Sequence, residues 1–526
     1  MATVLDERAP LRDSILWRLQ QSFYDTLNIR AWTEAIVPNF VTSNAFLAHC
    51  YARTQLAFIR DWLLRSPSAH REQPVYIVEL GAGHAKLAYL TIQKMLSMRE
   101  FFPNARPFVY VITDFTQHNL DFWDKHPPLQ RLFDAGLLDM AVFDAEKDTE
   151  LHLQRSGAVL NKETLKNPLV VVANYIFDTL RQDAFRIVEG QLQEALCTVV
   201  SDQPEPDPTH HEVIRRIRCH WEYRPCGLDV YDDPHLQEML RTYVSRHRNA
   251  SILVPYGGIK AIQNLAAIAG GRLMLMCGDK AYNHEDELVG LRDPHVAIHG
   301  SFSFMVNFHA VKLYVANRGG FALQSPYMDG FKCCSFMVGL AEGDTPETRY
   351  AWQDCMDTFG PDNFSTLQRC IKDETLSPSP KLALSTIRMS HYDSDVFYKF
   401  KQVLIDRAPY MTEKQQADLR RDILRVFDNY YPLQRTKDIA FEVGRLFMGL
   451  KQYKEAVHYF QESQKYCGEH HVSWYNMGIC LSYTNELDKA HACFVRSLEI
   501  RPDYHDALHW KVRISTRIAE EAAVRA

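Results

Sequence analysis

The 526-residue chain has no Cys-x-x-Cys pair, although it holds twelve cysteines, at 50, 197, 219, 226, 277, 333, 334, 355, 370, 467, 480 and 493. That absence argues against a structural zinc site, and scattered thiols fit a reducing compartment. No apolar run approaches the ~20 residues that span a bilayer. The longest, such as Leu169 to Ala173, are of strand length. The opening stretch, Met1 to Ser14, holds Asp6, Glu7 and Asp13 without an apolar segment, which fits neither a secretory signal nor a typical mitochondrial presequence. Positive charge is not in excess either. Lys plus Arg number 59 against 65 Asp plus Glu, a formal charge of −6, so no global field draws the chain to nucleic acid or to an anionic membrane. The expectation is a cytoplasmic protein with neither as partner. What is there is a globular composition, 46% hydrophobic and 24% charged, in a length that suits about three domains.

The order of apolar patterns divides the chain. Residues 1–70 read as a helical segment, with apolar residues three and four apart over Leu11 to Leu27 and Ala45 to Leu64. Residues 71–345 alternate strand-like and helical stretches, an α/β pattern. The strand candidates are Val75 to Leu80, Phe108 to Thr113, Leu138 to Phe143, Leu169 to Ala173 and Arg272 to Cys277. Residues 185–250 interrupt this series as an insertion, expected on the acceptor side of a site. Residues 346–435 read as a helical connector around Pro378-Ser379-Pro380.

Residues 436–526 carry a repeat. Gly444 and Gly478, Ala456 and Ala490, and Phe460 and Phe494 each lie 34 residues apart. Trp474, Met477, Gly478, Leu481, Ala490, Phe494 and Pro502 fall where a tetratricopeptide repeat places its packing residues. Two such hairpins need covering at both ends. His505 to Ala519 is expected to cap one side, and the helices Asp395 to Ile405 and Thr412 to Asn429 the other. Repeat hairpins of this kind bind proteins or peptides.

The sharpest chemical signal is Val78-Glu79-Leu80-Gly81-Ala82-Gly83-His84-Ala85-Lys86-Leu87, between a strand and a helix. Gly81 and Gly83 let a ligand lie against the backbone of the turn. The readings are a dinucleotide, S-adenosylmethionine, or a turn with no ligand. Lys86 stands where a dinucleotide fingerprint wants a small residue, and Glu79 suits a cationic ligand better than a diphosphate. At the next strand ends Asp114 is placed for ribose hydroxyls and Asp144 for an adenine amino group, with a plain loop carboxylate as the alternative for Asp144. Asn174 can hold an amino group or a substrate amide, and Asp178 can orient or deprotonate a nucleophile, or simply sit at a helix N-terminus. The adjacent pairs His210-His211 and His470-His471 lack metal-site spacing, so no metal is expected. Arg215-Arg216-Ile217-Arg218, beside Trp221 and Tyr223, reads as a hairpin flap over the site.

Together these residues resemble the Rossmann-type methyltransferases and, more narrowly, the MidA family, over residues 38 to 340. Asn39-Phe40-Val41-Thr42-Ser43-Asn44 is similar to that family's Asp-Phe-x-Thr-Ser/Ala-Pro-Glu loop. Glu79 to Gly83 matches its glycine motif, and Asn174 to Leu180 its Asn-Glu-x-x-Asp-Ala-Leu-Pro motif. Gly300 to Phe308 resembles its late Asp-x-Thr-x-x-Val-Asp/Asn-Phe segment. The resemblance implies S-adenosylmethionine as cofactor. It places Thr42, Ser43, Glu79, Gly81, Gly83, Asp114, Asp144 and Asn174 around that cofactor, and Asp178 and Tyr175 at the chemistry. The departures are Asn39, Asn44, Tyr175 and Ser301, which remove carboxylates that would hold a guanidinium, and Arg181 in place of the motif's terminal Pro. Tyr175 offers a hydroxyl and a ring instead, or packs against the sheet edge.

The resulting expectation is an α/β methyltransferase domain, with a helical N-terminal segment completing the donor site, followed by an all-α repeat domain. A protein acceptor is recruited in part by the repeats. The alternatives are a degenerate transferase fold serving as a scaffold, and a small-molecule methyltransferase whose repeats serve self-association.

Overall fold

The computed structural model describes residues 3–34, 36–37, 40–101, 107–325, 330–374, 378–433 and 437–525. The chain divides into two compact units, residues 1–365 and 366–526. Residues 346–365, expected in the connector, thus belong to the first unit.

That unit runs β1 (Thr3–Pro10), α1 (Leu16–Leu27), α2 (Ala45–Arg60), β2 (Val75–Glu79), α3 (Lys86–Leu96), β3 (Phe108–Asp114), β4 (Leu138–Val142) and β5 (Leu169–Asn174). It continues with β6 (Asp183–Val188), β7 (Gln191–Ser201), β8 (Ile217–Pro225), α4 (Pro234–Arg246), β9 (Ala250–Val254), α5 (Tyr256–Ile268) and β10 (Leu273–Tyr282). It closes with α6 (Phe308–Asn317), β11 (Phe321–Gln324) and β12 (Phe331–Val338), with shorter elements between. The principal sheet has the order β11-β12-β10-β5-β2-β3-β4. Strands β4, β3, β2, β5 and β10 are parallel, and β12 runs antiparallel to β10. These strands are buried on both faces, as parallel strands covered by helices are. Val170 to Ala173 are each 0% exposed. From β2 the chain steps to β3 and β4, then returns to the other side of β2 as β5. The direction of winding therefore switches between β2 and β5, and the carboxyl ends of those strands flank a crevice where such sheets bind ligands.

The structure corrects one sequence expectation and gives the insertion its fold. The N-terminal segment is not all helical. It opens with β1, which pairs antiparallel with β7 about 190 residues away, Thr3 opposite Ser201. The insertion is a second, five-stranded antiparallel sheet, β1-β7-β6-β9 with β8 along the other side of β7. Its core joins Leu11, Leu16, Leu19 and Phe23 to Cys197, Val199, Ile214, Phe302 and Phe304. The alternating half-buried strands of the insertion carry no long apolar run for a sequence reading to detect.

In the second unit, α7 (Ser394–Arg407) and α8 (Glu413–Asp428) precede α9 (Ile439–Gly449), α10 (Tyr453–Cys467), α11 (His471–Tyr483), α12 (Leu487–Ile500) and α13 (His505–Arg525). The 34-residue spacing has a direct physical cause. A Cβ on Gly444 would lie 2.8 Å from the Phe460 ring, and one on Gly478 2.8 Å from the Phe494 ring. Each hairpin closes because a glycine on one helix receives a phenylalanine from the next. No helix among the described residues is long and apolar enough to cross a membrane.

Candidate functional site

The turn after β2 is built from backbone. Leu80 N–H donates to Val172 O at 2.9 Å, and Ala82 N–H to Thr113 O at 2.9 Å. The Trp123 indole donates to Gly83 O at 2.7 Å. Gly81 and Gly83 take φ of 55° and 53°, and Ala85 takes 60°. The left-handed region costs an L residue roughly 1 kcal/mol, which accounts for two of the three being glycine. The space beside them is already lined by protein. A Cβ on Gly81 would meet Ile176 Cδ1 at 2.4 Å, and one on Gly83 would meet the Trp32 ring at 3.0 Å. Trp32 stacks on Tyr24 with centroids 6.0 Å apart and meets His84 edge-on at 6.4 Å.

Glu79 closes β2 with its carboxylate buried. The Tyr110 hydroxyl donates to its Oε2 at 2.9 Å, it forms no ion pair among the described residues, and burial pushes it up to about 8. Asp114 closes β3. Its Oδ1 accepts from Thr116 N–H at 3.1 Å and its Oδ2 from Asn119 Nδ2 at 2.8 Å, while burial raises it to about 6. Its carboxylate thus organises its own loop. Asp144, after β4, is held by Glu146 N–H at 3.0 Å and by Lys147 Nζ at 2.7 Å. These are the contacts of a loop carboxylate. Thr42 and Ser43 lie in the turn before α2. There Asn44 caps the helix, accepting from Leu47 N–H at 2.9 Å and donating to Phe40 O at 2.9 Å. Asn39 falls outside the described residues.

Across the crevice, Asn174 closes β5. The Tyr51 hydroxyl of α2 donates to its Oδ1 at 2.7 Å, and its Nδ2 is buried without an acceptor among the described residues. Gly278 of β10 must lack a side chain, since a Cβ there would lie 2.7 Å from Asn174 Oδ1 and 2.4 Å from Phe331 Cζ. Tyr175 takes a φ of 51° and sets its ring edge-on to Phe331, centroids 5.7 Å apart. It packs on the sheet edge, and burial raises its phenol.

Asp178 follows on the same loop, buried, with Oδ1 lacking any hydrogen-bond partner among the described residues. Burial pushes it up to about 7, against the opposing pull of Lys280. Its backbone N–H donates to Asp279 Oδ2 at 3.3 Å. Asp279 escapes a sequence reading that ends the fifth strand at Cys277. In the structure β10 continues to Tyr282 and carries Asp279 onto the carboxyl-end ledge. Tyr51 is missed for a different reason: inside an amphipathic helix it reads as one more core aromatic. Trp32 is missed too, and no sequence signal marks it.

The other candidates find ordinary partners. Arg216 forms two 2.8 Å hydrogen bonds with Glu205, and Arg218 pairs with Asp202, so two of the cluster's three arginines are paired with carboxylates. The His210–His211 and His470–His471 rings meet each other at a tilt, centroids 4.5 and 4.3 Å apart, and no metal-holding cluster exists among the described residues. All twelve cysteines are free. In the second unit a groove of about 470 Å³ between α11 and α13 is lined by Tyr483, Trp510, Arg513, Ile514, Arg517 and Glu520.

Comparison with known proteins follows this division. No curated protein matches the chain. Among solved structures, the native crystal structure of an uncharacterized COG1565 superfamily protein from Burkholderia thailandensis aligns at 10% identity. It covers 65% of this chain and 97% of that one, with a TM-score of 0.35. A second member from the same organism, taken to be a methyl transferase and bound to S-adenosyl-homocysteine, aligns at 12% identity over 60% of this chain and 81% of that one, TM-score 0.33. Likenesses at these scores fix neither fold nor chemistry. The tetratricopeptide repeat family model matches residues 471–504, the stretch in which Gly478 receives Phe494.

Proposed function

We propose that the chain is an S-adenosylmethionine-dependent methyltransferase acting on a protein acceptor met in part by the C-terminal repeats. One observation carries the reading. At the switch between β2 and β5, a buried carboxylate without a cation, Glu79, and a buried amide N–H without an acceptor, Asn174 Nδ2, stand at neighbouring strand ends. A buried donor without an acceptor and a buried carboxyl that must hold its proton are both costly, and an amino-acid zwitterion satisfies both. Glu79 would take the ligand's ammonium and Asn174 its carboxylate, while Gly81 and Gly83 let its nucleoside approach the turn. The bound donor supplies an electrophilic methyl group with a thioether leaving group. The chain's own residues then align the acceptor and exclude water, which is worth several kcal/mol. The repeats belong to the same chain, so they raise the acceptor's local concentration.

Calorimetry with S-adenosylmethionine tests this. The wild type should bind, and Glu79→Gln and Asn174→Leu should each weaken binding tenfold or more, roughly the loss of one charge-assisted contact. Absence of binding to the wild type overturns the reading. Arg513→Glu should raise the KM of a labelled acceptor and leave donor affinity alone. A second reading, a scaffold that keeps the fold without the chemistry, is favoured by Ile176 and Trp32, which lie against the two glycines. It predicts no donor binding in either variant or wild type.

A further inference from the structure

We propose that Asp279 is a positioning residue that joins Asp178 in a single proton-sharing base on the acceptor side of the site. The proton it takes belongs to the acceptor only if the transferase reading above holds, but the pair itself stands on geometry. Asp178 is 8% exposed and Asp279 0%. Asp279 Oδ2 accepts the Asp178 backbone N–H at 3.3 Å, and its Oδ1 accepts Lys280 N–H at 2.9 Å. One carboxylate thereby pins the peptide that carries the other. Both oxygens of Asp279 are engaged, whereas Asp178 Oδ1 has no partner among the described residues. The Asp178 carboxyl is therefore the member of the pair left for an incoming group.

The surroundings keep one proton on the pair near neutrality. Burial holds Asp178 and Asp279 above the ordinary carboxylate range, and the charge of Asp178 pushes Asp279 further up. The groups facing them are few. Lys280, on β10, is exposed and pulls both down. Tyr24, on α1, is pushed up by burial and by Asp178, with smaller contributions from Asp114 and Asp279. Tyr175, on the loop itself, is pushed up by burial and then by Asp279 and Asp178. With Lys280 the one cation facing them among the described residues, burial opposes ionisation of both carboxylates together. The protons belong to the pair and not to either member. In the step it serves, one X–H bond of the acceptor breaks with its electrons left on X, and one O–H bond forms on Asp178. The proton is later lost to water, and neither carboxylate bonds to carbon.

The test is a 13C NMR titration of the full-length chain labelled at its Asp carboxyl carbons, with the two signals assigned from Asp178→Asn and Asp279→Asn. In the wild type both signals should move together near neutral pH. In each single variant the surviving carboxylate should titrate at least about one pH unit lower, because interacting sites lose their coupling when one is removed. Lys280→Gln, an exposed substitution that keeps the fold, should move the shared midpoint upward. Two separate midpoints, each unmoved by loss of the other carboxylate, or an unmoved midpoint in Lys280→Gln, overturn the proposal. Donor calorimetry on the same wild-type sample separates the failures. Coupled titration without donor binding sinks the transferase reading and leaves the pair, and donor binding with uncoupled carboxylates does the reverse.

Discussion

A buried carboxylate awaiting a cation makes ligand binding a proton event. Glu79 in the free chain titrates at about 8, so at pH 7 it is mostly protonated. A ligand ammonium favours the ionised form and expels that proton. Binding of S-adenosyl-homocysteine at pH 7 should therefore release close to one proton, and its measured enthalpy should change with the ionisation enthalpy of the buffer. Glu79→Gln should abolish that dependence. Folding feels the same group with a definite sign. A carboxyl raised in the folded state binds its proton more tightly there, so its stabilising contribution is full below the unfolded value near 4.5 and is lost as pH rises through about 8. Between pH 5 and 9, urea denaturation should show the wild type losing a few kcal/mol relative to Glu79→Gln. Equal pH dependence in the two would refute the burial argument. Glu79 itself is legible in the sequence because it precedes a Gly-x-Gly. Its protonation is not, since that depends on Tyr110 and the strands that enclose it.

Among elements, the repeats and the second sheet mark the two ends of what a sequence can disclose. The glycine–phenylalanine pairs of α9 with α10 and α11 with α12 recur at one period and occupy helices that are local in the chain, so spacing alone predicts the packing. Gly478→Val should cost about 2 kcal/mol by overpacking Phe494, and Phe494→Ala about 3–5 kcal/mol by leaving a cavity. Their combination should cost less than the sum, because each relieves the other. Additive thermal denaturation values would show that the ring does not fill the glycine's space. Strand β1 is the opposite case. Its partner β7 lies far along the chain, and just past β1 Arg12 ties the segment to β6, its Nη1 meeting Asp183 Oδ2 at 3.1 Å with the guanidinium 5.6 Å from both the Tyr231 and Tyr256 ring centroids. No periodicity announces that clamp. Arg12→Ala leaves Asp183 buried without its cation, at about 3 kcal/mol. Asp183 already sits at about 6, raised by burial and held back by Arg12, so the loss should be larger at pH 8 than at pH 5, where protonation relieves it.

Over the whole molecule, chemical accessibility follows from two cores that bury their sulfur. Of twelve free cysteines only Cys370 is exposed, while Cys219, Cys226 and Cys467 are half-buried. Thiol titration of the native chain should show one fast equivalent that Cys370→Ser removes, and the remainder should react only as the chain opens. Several fast equivalents would contradict the burial of Cys333 and Cys334 on β12. The parallel strands were readable because they are continuous apolar runs, and their ends could be aligned by eye. The site's far wall was not, because Asp279 and Tyr51 reach it through strand extension and helix packing, which arise only once the sheet is assembled.

Ile176 sits two residues before Asp178 and rests where a side chain on Gly81 would point. A group placed where that side chain would point meets the Ile176 methyl, and the short segment Ile176 belongs to also bears the acidic group across the crevice. Occupancy of the turn and alignment of the base are thereby geared to each other. If the proposed transferase reading holds, turnover should follow an order, nucleoside before nucleophile.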